Sequence, residues 1–290
     1  MSSNLARRIA FAAVAIPTVL VVAYAGRWAF AALLSVAAAL GARELYGFAR
    51  AQGIEPLGRT GMIGAALTPL AVGITLFAPG EAANLIRGGY LFLVYVFVVL
   101  VAALARRGPA GRPLTAVAVT LFGVVYAGWL LSFALDLRHP LPGLFAQDAR
   151  VGMALLFYPL VLTWIGDTLA MAGGMSFGGP KLAPLVSPSK TWSGGISGFL
   201  GTMAVSVIYA ATVFPRAGVA VSLAEALVFG AVISIAGQVG DVAESLFKRE
   251  VGVKDSSALL PGHGGILDRL DSLYFVMPVT ALLYRLAGVV

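Results

Sequence analysis

The chain has 290 residues, of which 59% are hydrophobic and 11% are charged, and its mean hydropathy is +0.92. These values exclude an ordinary soluble globular protein and indicate a polytopic membrane protein. The absence of cysteine excludes disulfides and thiolate metal sites. The net charge of +7 comes from cations scattered between apolar runs, which is typical of membrane-protein loops rather than of nucleic-acid binding.

Apolar windows along the chain predict an all-α fold, with about nine transmembrane helices in a single membrane domain. The predicted spans are residues 9–26, 28–48, 61–79, 88–105, 114–135, 152–173, 194–214, 222–247 and 272–290. Most of the 20 Lys and Arg residues then lie on the side that contains the N-terminus. This bias predicts a cytoplasmic N-terminus and, with an odd number of spans, an external C-terminus.

Some acidic residues fall inside the predicted spans, where a charge that faces lipid is costly. We identify Asp167, Glu225, Asp241 and Glu244 in this class. Acidic residues at such depth usually face a polar interior, so we expect them to mark a site.

The predicted helix over residues 222–247 has one polar face, which continues to a basic end. Its members recur at helical spacing: Gln238, Asp241, Ser245 and Lys248, with Glu244 beside Ser245. Asp268 and Asp271 are three residues apart, and we expect them to face the same way at the start of the last span. Carboxylates at a helix start are also favoured by the helix dipole alone. Carboxylates on two such helix ends can together hold a hard cation such as Mg²⁺.

A second polar segment, LVSPSKTWSGGISG at residues 185–198, precedes a predicted helix. Its Ser187, Ser189, Lys190 and Thr191 can donate to an anion, although a Ser-Pro turn with a helix cap explains the pattern as well. Every lysine lies between residues 181 and 254. This clustering is explained either by the usual positive charge of cytoplasmic loops or by a site in which the lysines bind phosphate.

Two histidines are present, and we interpret them differently. The glycines around His263, in Pro-Gly-His-Gly-Gly, can let the backbone approach an anion closely. We interpret His139 as a solvated loop residue.

The run SLFKREVGVKDSSALLPGHGGILDRLDS, residues 245–272, resembles the signature of the phosphatidate cytidylyltransferases, also called CDP-diacylglycerol synthases. The matching positions are Ser245, Lys248, Arg249, Lys254, Asp255, Gly262, His263, Gly264, Gly265, Asp268, Arg269 and Asp271. The family's second conserved region is matched by Asp167, Lys181, Ser187, Pro188, Lys190 and Thr191. The chain departs from the family pattern at Met171, Met175, Ser176, Gly179 and Ser193, which leaves efficiency and substrate preference open.

The resemblance implies transfer of the cytidylyl group of CTP to phosphatidate, giving CDP-diacylglycerol and pyrophosphate for phospholipid synthesis. The implied catalytic residues are Asp241, Asp268, Lys248 and Lys254. The implied metal ligands are Asp241 and Asp268 for Mg²⁺, with Asp271, Glu244 and Asp167 as further candidates. The implied substrate-binding residues are Ser187, Lys190, Thr191, Ser245, Arg249, His263, Gly264, Gly265 and Arg269.

The same resemblance leaves open whether a second cation, either Mg²⁺ or K⁺, binds beside the first. It also leaves open whether the protein forms a homodimer. It implies a multi-pass protein of the inner, cytoplasmic membrane, whose site faces the cytoplasm and receives phosphatidate from the inner leaflet. No nucleic-acid partner is expected. Residues 1–150 would contribute less distinctive spans, and residues 151–290 would form the catalytic region.

Two alternatives stay open at this point. A CTP-dependent polyprenol- or dolichol-type lipid kinase would share CTP and the membrane but transfer the terminal phosphate. A secondary transporter would use Asp167, Asp241 and Glu244 as a cation pathway. The sequence shows no evident inverted repeat of the kind found in many transporters.

Overall fold

The structure is a computed structural model that describes residues 3–78, 80–140, 148–260, 262 and 264–289, with side chains from residue 12 onwards. The chain packs into two compact units. The first unit is Met1–His139 with Glu250–Leu270, and the second is Pro140–Arg249 with Asp271–Val290. The signature segment is therefore divided between the two units near Arg249 and near Leu270.

The first unit is built from helices. They are α1 (Ser3–Ala25), α2 (Arg27–Ala51), α3 (Gly58–Phe77), α4 (Glu81–Arg87), α5 (Tyr90–Arg106), α6 (Pro113–Gly123), α7 (Leu130–Arg138) and the short α11 (Leu267–Leu270). A 3₁₀ turn at Pro109–Gly111 precedes α6, and a π-helical turn at Val124–Trp129 joins α6 to α7.

Tyr46 of α2 is the centre of the packing in the first unit. Its ring is fully buried, and its hydroxyl donates to the carbonyl of Thr120 at 2.7 Å. Gly61 and Gly123 lie directly against this ring, where an added Cβ would overlap its atoms. The two glycines therefore let α3 and α6 approach α2 closely, and this packing fixes the position of α2.

The second unit combines long helices with one hairpin. Its elements are α8 (Ala149–Phe177), β1 (Lys181–Ala183), β2 (Ser187–Thr191), α9 (Trp192–Thr212), α10 (Leu223–Glu250) and α12 (Leu273–Leu286), with a 3₁₀ turn at Pro215–Ala217. Strands β1 and β2 pair antiparallel, with Lys181 opposite Thr191 and Ala183 opposite Ser187.

Small residues bring α8 and α9 together. A Cβ at Gly198 would lie 3.1 Å from the carbonyl oxygen of Gly166, and a Cβ at Gly173 would overlap the hydroxyl of Ser197. Interfaces of this kind are typical of membrane helices, which associate through close packing because lipid offers little hydrophobic drive. The hairpin follows the end of α8 and leads into α9, so this close pair fixes both ends of it.

Within the residues that the structure describes, six helical stretches are long and apolar enough to cross a membrane. They are Arg27–Ala51, Gly58–Phe77, Pro109–Arg138, Ala149–Phe177, Trp192–Thr212 and Leu223–Glu250. A seventh results if Glu81–Arg87 and Tyr90–Arg106, bent by 68°, count as one broken span. The helix at the predicted last span has only 14 residues, and the first predicted span contains a short apolar stretch, Ala12–Ala25. A predominantly helical membrane protein is confirmed, whereas the number nine and the orientation stay predictions.

The structure differs from the sequence-based expectations in several local features. The polar segment before α9 forms a two-stranded hairpin within a fold that is predominantly helical, as predicted. Glu225 does not face a polar interior: it is partly exposed in the first turn of α10, where its carboxylate accepts from the backbone N–H of Ser222 at 2.7 Å. The Ser222 hydroxyl accepts from the N–H of Glu225 in return, which makes a capping box.

The last acidic pair also differs from expectation. The chain leaves helical structure between Leu270 and Leu273, so Asp268 and Asp271 do not share one continuous helix. A helical spacing of three residues therefore does not determine their relative direction.

His139 is half-buried rather than solvated. Its Nε2 accepts from the backbone N–H of Arg27 at 2.7 Å, and burial with the nearby Arg138 and Arg27 charges lowers its pKa to about 4. His139 therefore fixes the connection between α1 and α2, together with Arg138, whose guanidinium donates to the carbonyls of Ala23 and Tyr24.

Candidate active site

A cavity with charged and apolar walls opens within the second unit, with a volume of about 640 Å³. Two of the residues that line the cavity form an ion pair, in which Lys190 Nζ lies 2.6 Å from Asp241 Oδ2. Asp167, Lys181, Ser189, Thr191 and Gln238 also line it, together with the apolar side chains of Met171, Met175 and Leu182. The cavity thus combines two ammonium groups, two carboxylates and an apolar wall.

The hairpin positions the cationic side of this cavity. Lys190 is the penultimate residue of β2, and Thr191 ends the strand and caps α9, its hydroxyl accepting from the N–H of Gly194 at 3.2 Å. The cap explains why the chain turns from strand to helix at this residue. Ser187 pairs with Ala183 in the hairpin and is not part of the cavity wall.

Helix α10 supplies the anionic side through the predicted polar face. The Gln238 amide donates to the carbonyl of Gly195 at 3.3 Å, which connects α10 to the start of α9. The Ser245 hydroxyl donates to Asp241 Oδ1 at 3.4 Å, a long contact. These contacts confirm that Gln238, Asp241 and Ser245 lie on one side of the helix.

The basic end of α10 is held by two further contacts. Lys248 Nζ lies 3.3 Å from Glu244 Oε1, and Glu244 is fully buried, so the lysine offsets part of the cost of burying this carboxylate. Arg249 Nε donates to the carbonyl of Val186 in the hairpin turn at 3.1 Å. Catalytic and substrate-binding roles for these residues stay predictions.

Asp271 lies close to α10, since a Cβ at Gly240 would be 2.8 Å from the Asp271 carbonyl oxygen. Burial and the nearby Asp241 carboxylate raise the pKa of Asp271, while the Ser272 N–H and the ammonium groups of Lys248 and Lys190 act in the opposite direction. Two carboxylates that repel each other in this way form a set that suits a hard divalent cation.

The described residues contain no group of three or more His, Cys, Asp or Glu side chains placed to hold a metal ion. This arrangement is compatible with Mg²⁺, which proteins commonly bind through one or two carboxylates while substrate phosphates and water complete the shell. Asp241, with Asp271 beside it, therefore fits such an ion.

Asp268 in the first unit organises its own loop. Its Oδ2 accepts from the backbone N–H groups of Ser256 and Gly265, both at 2.8 Å, and lies 2.9 Å from Ser256 Oγ, whose single hydroxyl proton it shares with Glu44. Gly264 approaches the same oxygen closely and has a φ of +80°, so a side chain there would be both strained and crowded. The glycine pattern of the signature is thereby explained in part by the packing around Asp268.

The remaining signature residues differ in their exposure. Lys254, Asp255 and Arg269 are exposed, and Gly265 is buried. His263 lies outside the described residues, so its predicted place in the nucleotide pocket stays a prediction.

Glu44 of α2 was missed by sequence reasoning. Its carboxylate is buried and accepts from the hydroxyls of Ser256 and Ser257 and from the N–H groups of Ile266 and Leu267. Glu44 lies within the predicted span 28–48, so the rule applied to the other intramembrane acids would have found it. Its partners, more than 200 residues away, could not be predicted from local spacing.

Comparison with known proteins gives a consistent result. Residues 6–287 match the cytidylyltransferase family. A chloroplastic phosphatidate cytidylyltransferase 5 of Arabidopsis thaliana is 32% identical over 290 residues, covering 91% of this chain and 68% of the relative. The phosphatidate cytidylyltransferase of Brucella abortus is 36% identical over 214 residues, with coverages of 74% and 72%. That of Thermotoga maritima is 33% identical over 227 residues, with coverages of 78% and 77%.

Proposed function

This chain belongs to the cytidylyltransferase family, and from that premise we propose that it transfers the cytidylyl group of CTP to phosphatidate, giving CDP-diacylglycerol and pyrophosphate. The relatives named phosphatidate cytidylyltransferase support this reaction. The observation that carries it in the structure is the cavity with Lys190 and Asp241 in its wall.

The chemistry of this cavity suits two anionic substrates. CTP carries about four negative charges and phosphatidate nearly two, so their approach requires cationic compensation. Lys190 and Lys181 provide ammonium groups at the cavity, and Lys binds phosphate oxygens well as a compact charge. Met171 and Met175 supply an apolar wall, which suits the hydrocarbon part of a lipid.

Transfer of a phosphoryl-type group needs little covalent help from a protein, and most of the catalysis comes from positioning and charge neutralisation. When substrate enters, the ion pair between Lys190 and Asp241 would weaken, and the Lys190 ammonium group would bind a phosphate oxygen. Asp241 and the loop residue Asp268 are the proposed ligands for Mg²⁺, with Asp271, Glu244 and Asp167 as further candidates. Bound Mg²⁺ would neutralise phosphate charge and stabilise the leaving pyrophosphate. The same proposal includes a second cation, Mg²⁺ or K⁺.

The membrane arrangement that supports this reaction has a cytoplasmic N-terminus and a site at the cytoplasmic face of the inner membrane. The asymmetry of Lys and Arg along the sequence supports it. Phosphatidate would then enter from the inner leaflet, and CTP from water. A homodimer is the assembly proposed for this chain.

The test is the incorporation of label from cytidine-labelled CTP into lipid, by the purified protein with phosphatidate and Mg²⁺. We expect labelled lipid from the unmodified chain and a loss of about 10³-fold in kcat/KM for Asp241→Asn, which keeps the size of the side chain but removes its charge. The matched control is Glu225→Gln, because Glu225 lies on the same helix but in its first turn, away from the residues that line the cavity.

Other outcomes would reject the proposal in distinct ways. Transfer of only the γ-phosphate of CTP would establish the lipid kinase instead. No transfer of either group by well-folded protein would reject both and return attention to transport. Equal losses in Asp241→Asn and Glu225→Gln would mean that the assay reports folding rather than the site.

A further inference from the structure

Glu44 lies in the first unit, on the second helix, yet its carboxylate is used entirely by the signature loop. Ser257 Oγ and the Ile266 N–H donate to Glu44 Oε1 at 2.6 and 3.1 Å. Ser256 Oγ and the Leu267 N–H donate to Glu44 Oε2 at 3.0 and 2.9 Å. Glu44 Oε1 therefore accepts one hydroxyl and one backbone N–H, and Glu44 Oε2 accepts one backbone N–H and a share of the Ser256 hydroxyl proton.

These contacts join both ends of the loop to one point. Ser256 and Ser257 precede the glycine-rich segment, and Ile266 and Leu267 follow it at the start of α11. Ser256 is shared, because its hydroxyl also lies 2.9 Å from Asp268 Oδ2. The carboxylates of Glu44 and Asp268 thus share the hydroxyl proton of Ser256, and the Ser256 N–H donates to Asp268 as well, so the position of Asp268 depends on that of Glu44.

Packing around Gly265 strengthens this dependence. A Cβ at Gly265 would overlap the Ser256 hydroxyl and would lie 2.5 Å from Glu44 Oε2. Glu44 therefore contributes to the requirement for glycine here, as well as satisfying the first free N–H groups of α11.

We propose that Glu44 is a positioning residue of the cytidylyl-transfer site, which closes the loop of residues 256–267 and orients Asp268 through Ser256. It does not touch the reacting atoms. The inference rests on the proposed function for its kinetic consequence, but the structural part of it is measurable without any turnover.

The substitution Glu44→Gln is informative because no orientation of the amide satisfies the loop. A serine hydroxyl can reverse and accept from the amide NH₂, but a backbone N–H cannot. In either orientation the NH₂ group faces the N–H of Ile266 or Leu267, so one hydrogen bond becomes a donor–donor contact. Glu44→Asp keeps both acceptor oxygens, and Glu55→Gln is the matched control, since Glu55 is an exposed acid of the same unit whose carboxylate lies 3.7 Å from Arg50.

The first measurement is amide hydrogen exchange of the full-length protein in detergent micelles, resolved over residues 256–267. We expect exchange at Ile266 and Leu267 to be at least about tenfold faster in Glu44→Gln, unchanged in Glu55→Gln and intermediate in Glu44→Asp. Exchange in α8 and α9 should stay at its wild-type rate. An increase in the exchange rate throughout both units would overturn the proposal, and so would an unchanged exchange rate in the loop.

The second measurement is the kinetics of cytidylyl transfer. We expect kcat/KM to fall by about 10²-fold in Glu44→Gln, because small displacements of a positioned group have effects of this size, and to recover in part in Glu44→Asp. Wild-type kinetics in folded Glu44→Gln would overturn the positioning role. An inactive wild-type protein with the expected exchange pattern would instead reject the proposed function and leave the loop anchor in place.

If Glu44→Gln does not fold, Ser257→Ala tests the same anchor more gently by removing one donor. Ser257 and the Ile266 N–H donate to the same oxygen, Glu44 Oε1. We therefore expect faster amide exchange at Ile266 and a several-fold loss of kcat/KM. Unchanged exchange and kinetics in this variant would count against the proposal.

Discussion

Asp241 in the second unit and Glu44 in the first are both carboxylates on long apolar helices, but their partners differ in kind. Asp241 is half-exposed at the wall of a cavity and is paired with the ammonium group of Lys190. Glu44 is buried, and it accepts from two hydroxyls and two backbone N–H groups.

The difference separates a group that can exchange its partner from a group that cannot. A lysine at a cavity wall can move to a phosphate oxygen, and the carboxylate it leaves can bind a cation in its place. Backbone N–H groups at a helix start have no such freedom, because losing their acceptor would leave them buried and unsatisfied. The two acids therefore differ in the freedom of their partners, and the proposed function assigns the exchangeable ion pair to the site.

The largest effect that would sharpen this comparison is expected for Lys190→Met. We predict a loss of about 10²–10³-fold in kcat/KM, since a charged donor to phosphate is removed and Asp241 loses the charge that compensates it. The measurement is cytidylyl transfer from labelled CTP, with Arg216→Met as a control that removes an exposed cation of the same unit. A variant with near-wild-type kinetics would show that the ion pair is structural, like the Glu44 contacts.

Gly265→Ala tests the anchored loop from the opposite side. The added methyl group would overlap the Ser256 hydroxyl, so we predict a cost of about 1–3 kcal/mol in the free energy of unfolding. The same displacement should reduce kcat/KM by about 10–10²-fold. Thermal unfolding and labelled-CTP kinetics measure the two effects, and Gly108→Ala is the matched control, because a Cβ there meets nothing within 4 Å and, as at Gly265, the φ is not positive. Equal effects in both variants would mean that the losses do not come from crowding around Glu44.

The smallest effect is expected for Thr191→Ala. Thr191 lines the cavity, but its hydroxyl caps α9, so we predict a loss of about 1 kcal/mol in stability and a smaller proportional change in kcat/KM. Thr191→Ser, which keeps the capping oxygen, should restore the melting temperature. A large kinetic loss with unchanged stability would instead assign Thr191 to substrate binding, as its match to the family pattern suggests.

Much of the second unit's site follows from helical spacing. The i, i+3, i+7 pattern placed Gln238, Asp241 and Ser245 on one side of α10, because a regular helix fixes the direction of side chains from their separation alone. The same rule failed for Asp268 and Asp271, since the chain is not helical between Leu270 and Leu273. It also gave Glu225 a role that its position in the first turn, beside the capping Ser222, does not support.

The first unit could be predicted only in part. Composition determined that the chain is a helical membrane protein, because long apolar runs need no knowledge of tertiary contacts. The spacing of the signature residues determined its family, because those residues lie near one another in the chain. Tertiary structure alone decided that Glu44 holds Ser257 across 213 positions, and that a hairpin brings Lys190 to Asp241. Contacts at such separations depend on how whole helices pack, and close packing between small residues fixes that without leaving a pattern in the local sequence.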